Sequence, residues 1–502
     1  MHSTETKAFN PVTAGVRGAI TLAVLSALLL FAVSPVHAQT ESVLWSFGSV
    51  PDGENPYGGI TFNNGNIFGT TYNGGAYGYG SVYELTSNGS GGYTESVLYS
   101  FCPVSPSCVD GQNPVFADVV FDINGNLYGT TYLGGTSGNG VVFELSPPTT
   151  GTTWTQTVLW SFAGTPDAAN PVNGLIWDAS GNLYGSAYNG GGGGNGAVWE
   201  LSPNGSGGWT EQVAANVNSL FGGLSIDSSG NIYGTEANSV VKLVPNGSGG
   251  YDPVLIYQFN PSDATTEGQT PNGTPIVDSE GNVYGTTTKG GKDSDGAVYK
   301  LIYNSSKQTY TEKLIYSFGA NGTVPYAGVV ADPSGNLYGT TTAGGKNDAG
   351  IVYELAYNSS KGTYAEKNLQ TFIGENGAIP YAGLVYNGGY VYGTTYQGGS
   401  NGEGTVFVVN PAAKVTTTTC TSSLNPSTEG EAVTLTGTVT PAPPNGEAIV
   451  FEPVGQAPMT NGVATFTVSD LKVGSTKITC VYEGDLNYIT SKSASFEQVV
   501  DE

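Results

Sequence analysis

The chain has 502 residues, 76 of them Gly and 31 Tyr, with 11% charged residues and a formal net charge of −25. That length leaves room for more than one domain and a large core, and the glycine–tyrosine richness suits short strands and tight turns better than helices. So acidic a chain has little cationic surface to set against phosphates, which excludes nucleic-acid binding.

Residues 1–38 read as a secretory signal peptide. Lys7 and Arg17 precede an apolar run from Ala19 to Val33, and Val36-His37-Ala38 offers small residues at the cleavage positions. The run is too short for a comfortable membrane span, Gln39 after the cut is no lipid-accepting cysteine, and no second run of spanning length follows. The expected location is therefore outside the cytoplasm: extracellular, cell-surface or periplasmic. Cleavage removes both histidines and the only arginine, Arg17. Losing Lys7, Arg17 and Glu5 takes 15 basic and 40 acidic residues to 13 and 39, a net of −26. The first lysine after the cut is Lys242, so the first half of the mature chain is acidic and neutral only.

From there the chain repeats itself. A Tyr-Gly (once Phe-Gly) step recurs at Phe68-Gly69, Tyr128-Gly129, Tyr184-Gly185, Tyr233-Gly234, Tyr284-Gly285, Tyr338-Gly339 and Tyr392-Gly393, with spacings of 60, 56, 49, 51, 54 and 54 residues. Such a period marks an array whose units bury their apolar faces against neighbours. In the second unit four strand-like segments run Phe116–Asp122, Asn126–Tyr132, Gly140–Leu145 and Thr155–Phe162, here called a, b, c and d. The a–b connection repeats as Asp122-Ile-Asn-Gly-Asn126, Asp178-Ala-Ser-Gly-Asn182 and three further copies, which is hairpin chemistry. A calcium loop is the competing reading, but the glycine placement and the missing distal Glu do not match one. The glycine inside strand b predicts close approach of another backbone between packed sheets.

Strand d appears first as Val43-Leu-Trp-Ser-Phe47, before any a, b or c, while the last unit ends after its c strand at Thr405–Val409. A closed ring in which Val43–Phe47 completes the seventh sheet removes both free ends. Residues 39–411 are therefore expected to form a seven-bladed β-propeller closed by its N-terminal strand, with an open β-solenoid as the alternative. The units Gly-Asn-Leu-Tyr-Gly-Thr-Thr, Gly-Gly and Gly-Val-Val-Phe-Glu-Leu resemble the GloVer tandem repeats of exported bacterial proteins, from about Glu41 to Asn410. Unit four departs from the pattern, since Thr235-Glu-Ala-Asn-Ser lacks the Gly-Gly segment. The resemblance implies architecture and brings no catalytic residues.

Residues 412–502 are expected to hold a linker and an Ig-like β-sandwich. Alternating segments run Val433–Val439, Ala448–Phe451, Val463–Val468, Thr476–Tyr482 and Ala494–Val499, which suggests seven strands. Leu424-Asn-Pro-Ser, Asn461-Gly-Val-Ala-Thr-Phe and Tyr482-Glu-Gly-Asp-Leu-Asn-Tyr488 resemble bacterial Ig-like domains of group 3. Such domains on secreted proteins imply a spacer or adhesion element, by fold analogy alone.

Cys102 and Cys108 bracket a short proline-bearing loop and are expected to bond to each other in an oxidising compartment; Cys420 and Cys480 could form a second bridge. No metal or cofactor motif is present, and none is expected. Without histidine or arginine, Ser-His-Asp and Cys-His catalysis falls away, and no catalytic residue is assigned. The candidate ligand face is built from loops. The b–c loops bring Tyr72, Tyr132, Tyr188 and Tyr396; the d–a loops bring Glu54, Asp110, Asp167 and Glu375, together with Asp52, Asp263 and Glu267, and with Asn55, Asn113 and Asn170 before prolines. Flat aromatics beside amides and carboxylates suit polyols. The expected function is an exported, non-catalytic binding or adhesion scaffold for an extracellular glycan or cell-surface protein. The alternative is a glycan hydrolase working through two carboxylates.

Overall fold

The computed structural model describes residues 41–502 apart from 90–91, 219, 221 and 261–266. The signal-like segment and Asp263 lie outside the described residues. Among the described residues the chain is all-β, and no helix is long and apolar enough to cross a membrane.

The repeat units become seven successive antiparallel sheets, numbered I to VII here. Sheet II shows the plan: Val120–Phe121, Leu127–Thr131, Val141–Ser146 and Thr155–Ser161, joined in sequence order. Its a strand is shorter than Phe116–Asp122 because Phe116 takes a φ of 51°, which no extended strand allows. Sheet VII is Val385–Asn387, Tyr390–Thr395 and Thr405–Val409, and its fourth member is Glu41–Ser46 from the other end of the chain. That pairing is antiparallel and runs from Glu41 opposite Val409 to Ser46 opposite Thr405.

The Asp-x-x-Gly-Asn turn is held by its first residue. Asp122 Oδ1 accepts the amides of Asn124 and Asn126 at 2.8 and 2.9 Å, while Oδ2 accepts Asn126 Nδ2 at 2.9 Å and the Tyr128 hydroxyl at 3.2 Å. Burial would raise this carboxyl, yet the bonds from Asn126, Asn124 and Tyr128 hold it below the usual range. The Tyr–Asp bond recurs at Tyr184–Asp178, Tyr233–Asp227, Tyr284–Asp278 and Tyr338–Asp332. In sheet I the turn is Asn63-Asn-Gly-Asn66 without the aspartate, and the tyrosine is Phe68. Hydroxyl and acceptor are absent together.

The motif glycine answers to a ring and not to a second backbone. Gly339 faces Tyr353 on the neighbouring strand of its own sheet, and a Cβ on Gly339 would lie 2.3 Å from the Tyr353 hydroxyl oxygen. Tyr83, Phe143, Trp199, Tyr299 and Phe407 cover the corresponding glycines of their sheets. Each ring also meets a d-strand phenylalanine of the preceding sheet, as in Phe318–Tyr353 at 4.9 Å, Phe101–Phe143 at 5.1 Å and Phe47–Tyr83 at 5.0 Å. Sheet IV carries Val241 opposite Gly234, and Val217 replaces the phenylalanine that would touch it. Backbone-to-backbone approach does occur, one step earlier in the chain. A Cβ on Gly273 would lie 2.1 Å from the Gly328 nitrogen of the next sheet.

Neighbouring sheets are also bonded through the Gly-Thr-Thr end of the motif. Thr70 Oγ1 donates to the Ala117 carbonyl, Thr286 to Ala327 and Thr394 to Gly58, at 2.8, 2.8 and 2.9 Å. The last bond joins sheet VII to sheet I. Phe47, Ile60, Ile67, Tyr83, Leu85 and Val406 form one buried cluster across the same junction.

The C-terminal strands form one three-stranded sheet (Thr417–Ser422, Val433–Thr440, Val463–Val468) and one six-stranded sheet. The larger sheet includes Ser427–Thr428 and Gly455–Pro458, short segments that the alternation of apolar residues did not mark. Leu435, Ile449, Phe451, Ile478 and Tyr482 are buried between them. The Cys420–Cys480 disulfide ties the two sheets, and Cys102–Cys108 closes the loop after sheet I. Asn487 accepts Asn410 Nδ2 at 3.1 Å, and its carbonyl accepts the Lys414 amide at 2.8 Å.

Candidate functional site

The loop tyrosines sit on anchored backbone. Asn55, Asn113 and Asn170 take left-handed φ angles of 56°, 54° and 56°, a conformation asparagine tolerates better than most residues. Their Nδ2 groups donate to the carbonyls of Tyr396, Tyr72 and Tyr132 at 3.1, 2.9 and 3.1 Å. The amides before the prolines therefore position the tyrosines of the preceding sheet.

Two of those tyrosines join a cluster that reading by loops did not reach. Tyr57 lies at the centre, with ring centroids 5.9 Å from Tyr72, 4.3 Å from Phe116, 4.9 Å from Tyr381 and 4.9 Å from Tyr396. Phe116 stacks on Tyr326 at 5.5 Å, and Tyr326 meets Tyr381 at 5.2 Å. Sheets I, II, VI and VII thus bring six half-buried rings together. Burial raises the Tyr132 hydroxyl, and Tyr188 and Tyr72 raise it further, which puts Tyr132 and Tyr188 beside the cluster. Pro56-Tyr57-Gly58-Gly59, Pro325-Tyr326-Ala327-Gly328 and Pro380-Tyr381-Ala382-Gly383 are the repeated signal that marks these missed aromatics.

Phe116, Tyr326 and Tyr381 also line a cavity of about 240 Å³. Its wall comes from six sheets and is mostly glycine and aliphatic residues, with Asn173, Asn272, Thr274 and, among the described residues, one carboxylate, Asp118. Glycoside hydrolysis needs two opposed carboxyl groups; this wall presents one. Enclosure by protein pushes Asp118 up to about 6, against the pull of the Gly59 amide that it accepts.

The predicted loop acids stand in separate loops, and no hydrogen bond joins any of them to a ring of this cluster among the described residues. Asp110 is buried and accepts the Tyr99 hydroxyl at 2.8 Å and the Cys102 amide at 2.9 Å. Asp167 accepts the amides of Ala163 and Ala168 at 2.7 Å each. Glu54 is raised by burial and then by Glu403, and Glu375 is exposed. Three of these loops hide a carboxyl pair. Burial and then Asp52 push Glu95 up to about 8, burial and Asp167 push Glu211 up to about 8, and burial and Glu267 push Glu312 up to about 7. One oxygen of each glutamate is buried with no hydrogen-bond partner.

The model of the Gloeobacter/Verrucomicrobia repeat matches residues 90–250 and 236–442, which together span most of the 502 residues. The chain belongs to the Gloeobacter/Verrucomicrobia repeat family. The bacterial Ig-like domain of group 3 matches residues 418–501. No curated protein matches. Among solved structures, this repeat protein is similar to virginiamycin B lyase from Staphylococcus aureus, at 13% identity over 74% of this chain and 98% of that one, with a TM-score of 0.46. It is similar to the extracellular domain of a putative hybrid two-component system from B. thetaiotaomicron, at 13% identity over 92% of this chain and 58% of that one, with a TM-score of 0.47. A gluconolactonase from Xanthomonas campestris follows at 14% identity, 55% and 83% coverage and a TM-score of 0.32. At these scores the likeness carries neither an activity nor a ligand across.

In this repeat-family chain the carboxyl pairs set a pH dependence. The folded state holds Glu95, Glu211 and Glu312 in the neutral form well above their ordinary value near 4.5. Their contribution to stability is complete below about 4.5 and is lost as pH rises through 7 to 8, where the folded protein must ionise them. The turn aspartates act in the opposite sense, since their lowered values cost stability as pH falls below the ordinary Asp range. The melting temperature is therefore expected to peak under mildly acidic conditions and to fall as pH rises from about 4.5 to about 8. Sheet II already carries glutamine at the equivalent place, where Gln156 Nε2 donates to the Asp110 carbonyl at 3.1 Å. Glu211→Gln should flatten the alkaline fall, and an unchanged melting profile from that variant would contradict the assignment.

Proposed function

We propose that this is an exported, non-catalytic binding scaffold: a secretory signal over residues 1–38, a seven-bladed propeller over 39–411 closed by its N-terminal strand, and a linker with an Ig-like spacer over 412–502. Closure is supported by the pairing of Glu41–Ser46 with Thr405–Val409 and by the Thr394–Gly58 bond. Export agrees with the two disulfides, which persist in oxidising compartments.

The ligand is a glycan, and the observation that carries this reading is the convergence of Tyr57, Tyr72, Phe116, Tyr326, Tyr381 and Tyr396. A group of aromatic faces with hydroxyls at their edges offers apolar contact to the C–H side of a sugar and hydrogen bonds to its rim. Tyr132 and Tyr188 extend the surface. Asp110 and Asp167 serve it indirectly by fixing the loops that lead into sheets II and III, and Glu54 and Glu375 stand in the equivalent loops of other sheets.

Neutral oligosaccharides offered on a glycan array, with titration of any hit, provide the test. Tyr57→Ala with Tyr381→Ala is expected to weaken binding about tenfold or more, since each lost stacking contact is worth on the order of 0.5–1.5 kcal/mol. If no saccharide binds above an unrelated acidic protein, the glycan reading fails.

A further inference from the structure

The cavity beside the aromatic rings is walled almost entirely by neutral groups. Where sheet II has Asp118, sheets I, III and VII carry Gly59, Gly174 and Gly383, and sheet V carries Thr274. Asp118 and Thr274 do the same structural task. Each accepts the amide of the equivalent glycine in the preceding sheet, Gly59 to Asp118 Oδ1 at 2.5 Å and Gly223 to Thr274 Oγ1 at 3.1 Å. A hydroxyl therefore suffices for that bond, and an ionisable group is more than the fold requires. Asp118 is half-buried; only its Oδ1 is bonded among the described residues, which leaves Oδ2 open to the cavity, and no described lysine lines that cavity.

A small, partly open cavity with a single carboxylate among its described lining residues, the rest of the wall being rings, aliphatic side chains and backbone, is complementary to one kind of guest. Ring faces attract a cation through their quadrupole, and a half-buried carboxylate with one oxygen left unbonded gains most from a donor that carries positive charge. A neutral sugar hydroxyl would leave the charge uncompensated, and an anion would be repelled. The chain's net charge of −25 further favours a cationic visitor.

We propose that Asp118, with Phe116, Tyr326 and Tyr381, forms a binding site for a small organic ammonium ion. The ammonium donates to Asp118 Oδ2 while its carbon skeleton packs against the rings. The site shares rings with the glycan platform but does not need saccharide binding. The shared chemistry, a protonated amine on a compact carbon frame, belongs both to amino sugars and to simple cyclic amines.

Calorimetric titration of the full chain at pH 7 separates these. Glucosamine is compared with N-acetylglucosamine, and cyclohexylamine with cyclohexanol. Each amine is expected to bind about tenfold or more tightly than its neutral counterpart, as a charge-assisted bond in place of a neutral one implies. A gap for glucosamine alone identifies the amino sugar as the guest; a gap for both identifies the ammonium group itself. The gap should shrink at pH 5, where Asp118 takes up a proton. Asp118→Asn keeps an oxygen for the Gly59 amide and removes the charge, so it should erase the gap with little change in melting temperature. Amines that bind no tighter than their neutral partners, or an Asp118→Asn variant that keeps the preference, would overturn the proposal. Neutral saccharide binding in either case would leave the platform standing by itself.

Discussion

Replacing Gly339 by alanine is expected to destabilise the protein by about 3 kcal/mol, whereas the same change at Gly234 should be close to neutral. Both glycines occupy the same place in the motif, and neither has a left-handed φ. The added methyl at 339 would meet the Tyr353 hydroxyl at 2.3 Å and its ring carbon at 2.6 Å. Tyr353 is fully buried and pinned by Phe318, so the ring has nowhere to go. At 234 the nearest atom is Leu220 Cδ2 at 3.2 Å, which a small rotation relieves. The modest gain of alanine over glycine in a strand then offsets most of the cost. Denaturant midpoints of the two variants decide it, and equal losses would mean that the glycine serves the backbone and not the ring. The hydroxyl itself is dispensable: that of Tyr353 is buried without a partner, and Phe143 and Phe407 fill the same role without one. Tyr353→Phe should therefore be neutral or mildly stabilising.

The array was legible in the sequence because its signals are local or recur. Asp122 and Asn126 are four residues apart and bond within one turn, so their residue types alone announce the hairpin. The stray Val43–Phe47 strand was legible because six similar strands fixed its type. The reason for the motif glycine was not, because it depends on a residue 14 positions later, Tyr353 for Gly339, whose ring could have pointed to either face. The candidate site was legible by half. Tyr72 and Tyr396 were found because their loops vary beside Gly-Gly steps. Tyr57, Tyr326 and Tyr381 were missed because an aromatic three or four residues before a strand reads as core, and only the left-handed residue two positions earlier, Asn55, Val324 or Ile379, breaks the extended geometry there. The acids were misleading for a related reason. Asp167 reads as a solvent-facing loop residue until Glu211, on the far strand of the same sheet, is brought against it. Asp118 fell inside the expected strand Phe116–Asp122, where nothing local distinguishes it from a surface carboxylate.

Phe47→Ala is expected to cost about 4 kcal/mol, as much as Phe318→Ala in the middle of the array. In an open array the first strand is a terminus, and truncating its last side chain should cost little. In a closed ring it is as interior as any other. Phe47 is fully buried and meets Tyr83 of sheet I at 5.0 Å, while Phe318 meets Tyr353 of sheet VI at 4.9 Å. The two phenylalanines have equivalent partners, although one lies near the start of the chain and the other well past its middle. Closure also predicts how the damage spreads. Without Glu41–Phe47, the strand Thr405–Val409 becomes an unpaired edge, and the buried contacts between sheets VII and I are lost with it. A chain lacking residues 39–47 should therefore lose its cooperative transition or associate through that edge, which thermal melts and sedimentation together would detect. A truncated chain that melts as a monomer with an unchanged midpoint, beside a Phe47→Ala variant within about 0.5 kcal/mol of the parent, would show the ring to be open. The loss is expected because the first strand carries the same phenylalanine and ring contact as five of its six counterparts, so its position at the start of the chain gives it no exemption from the energetics of the rest.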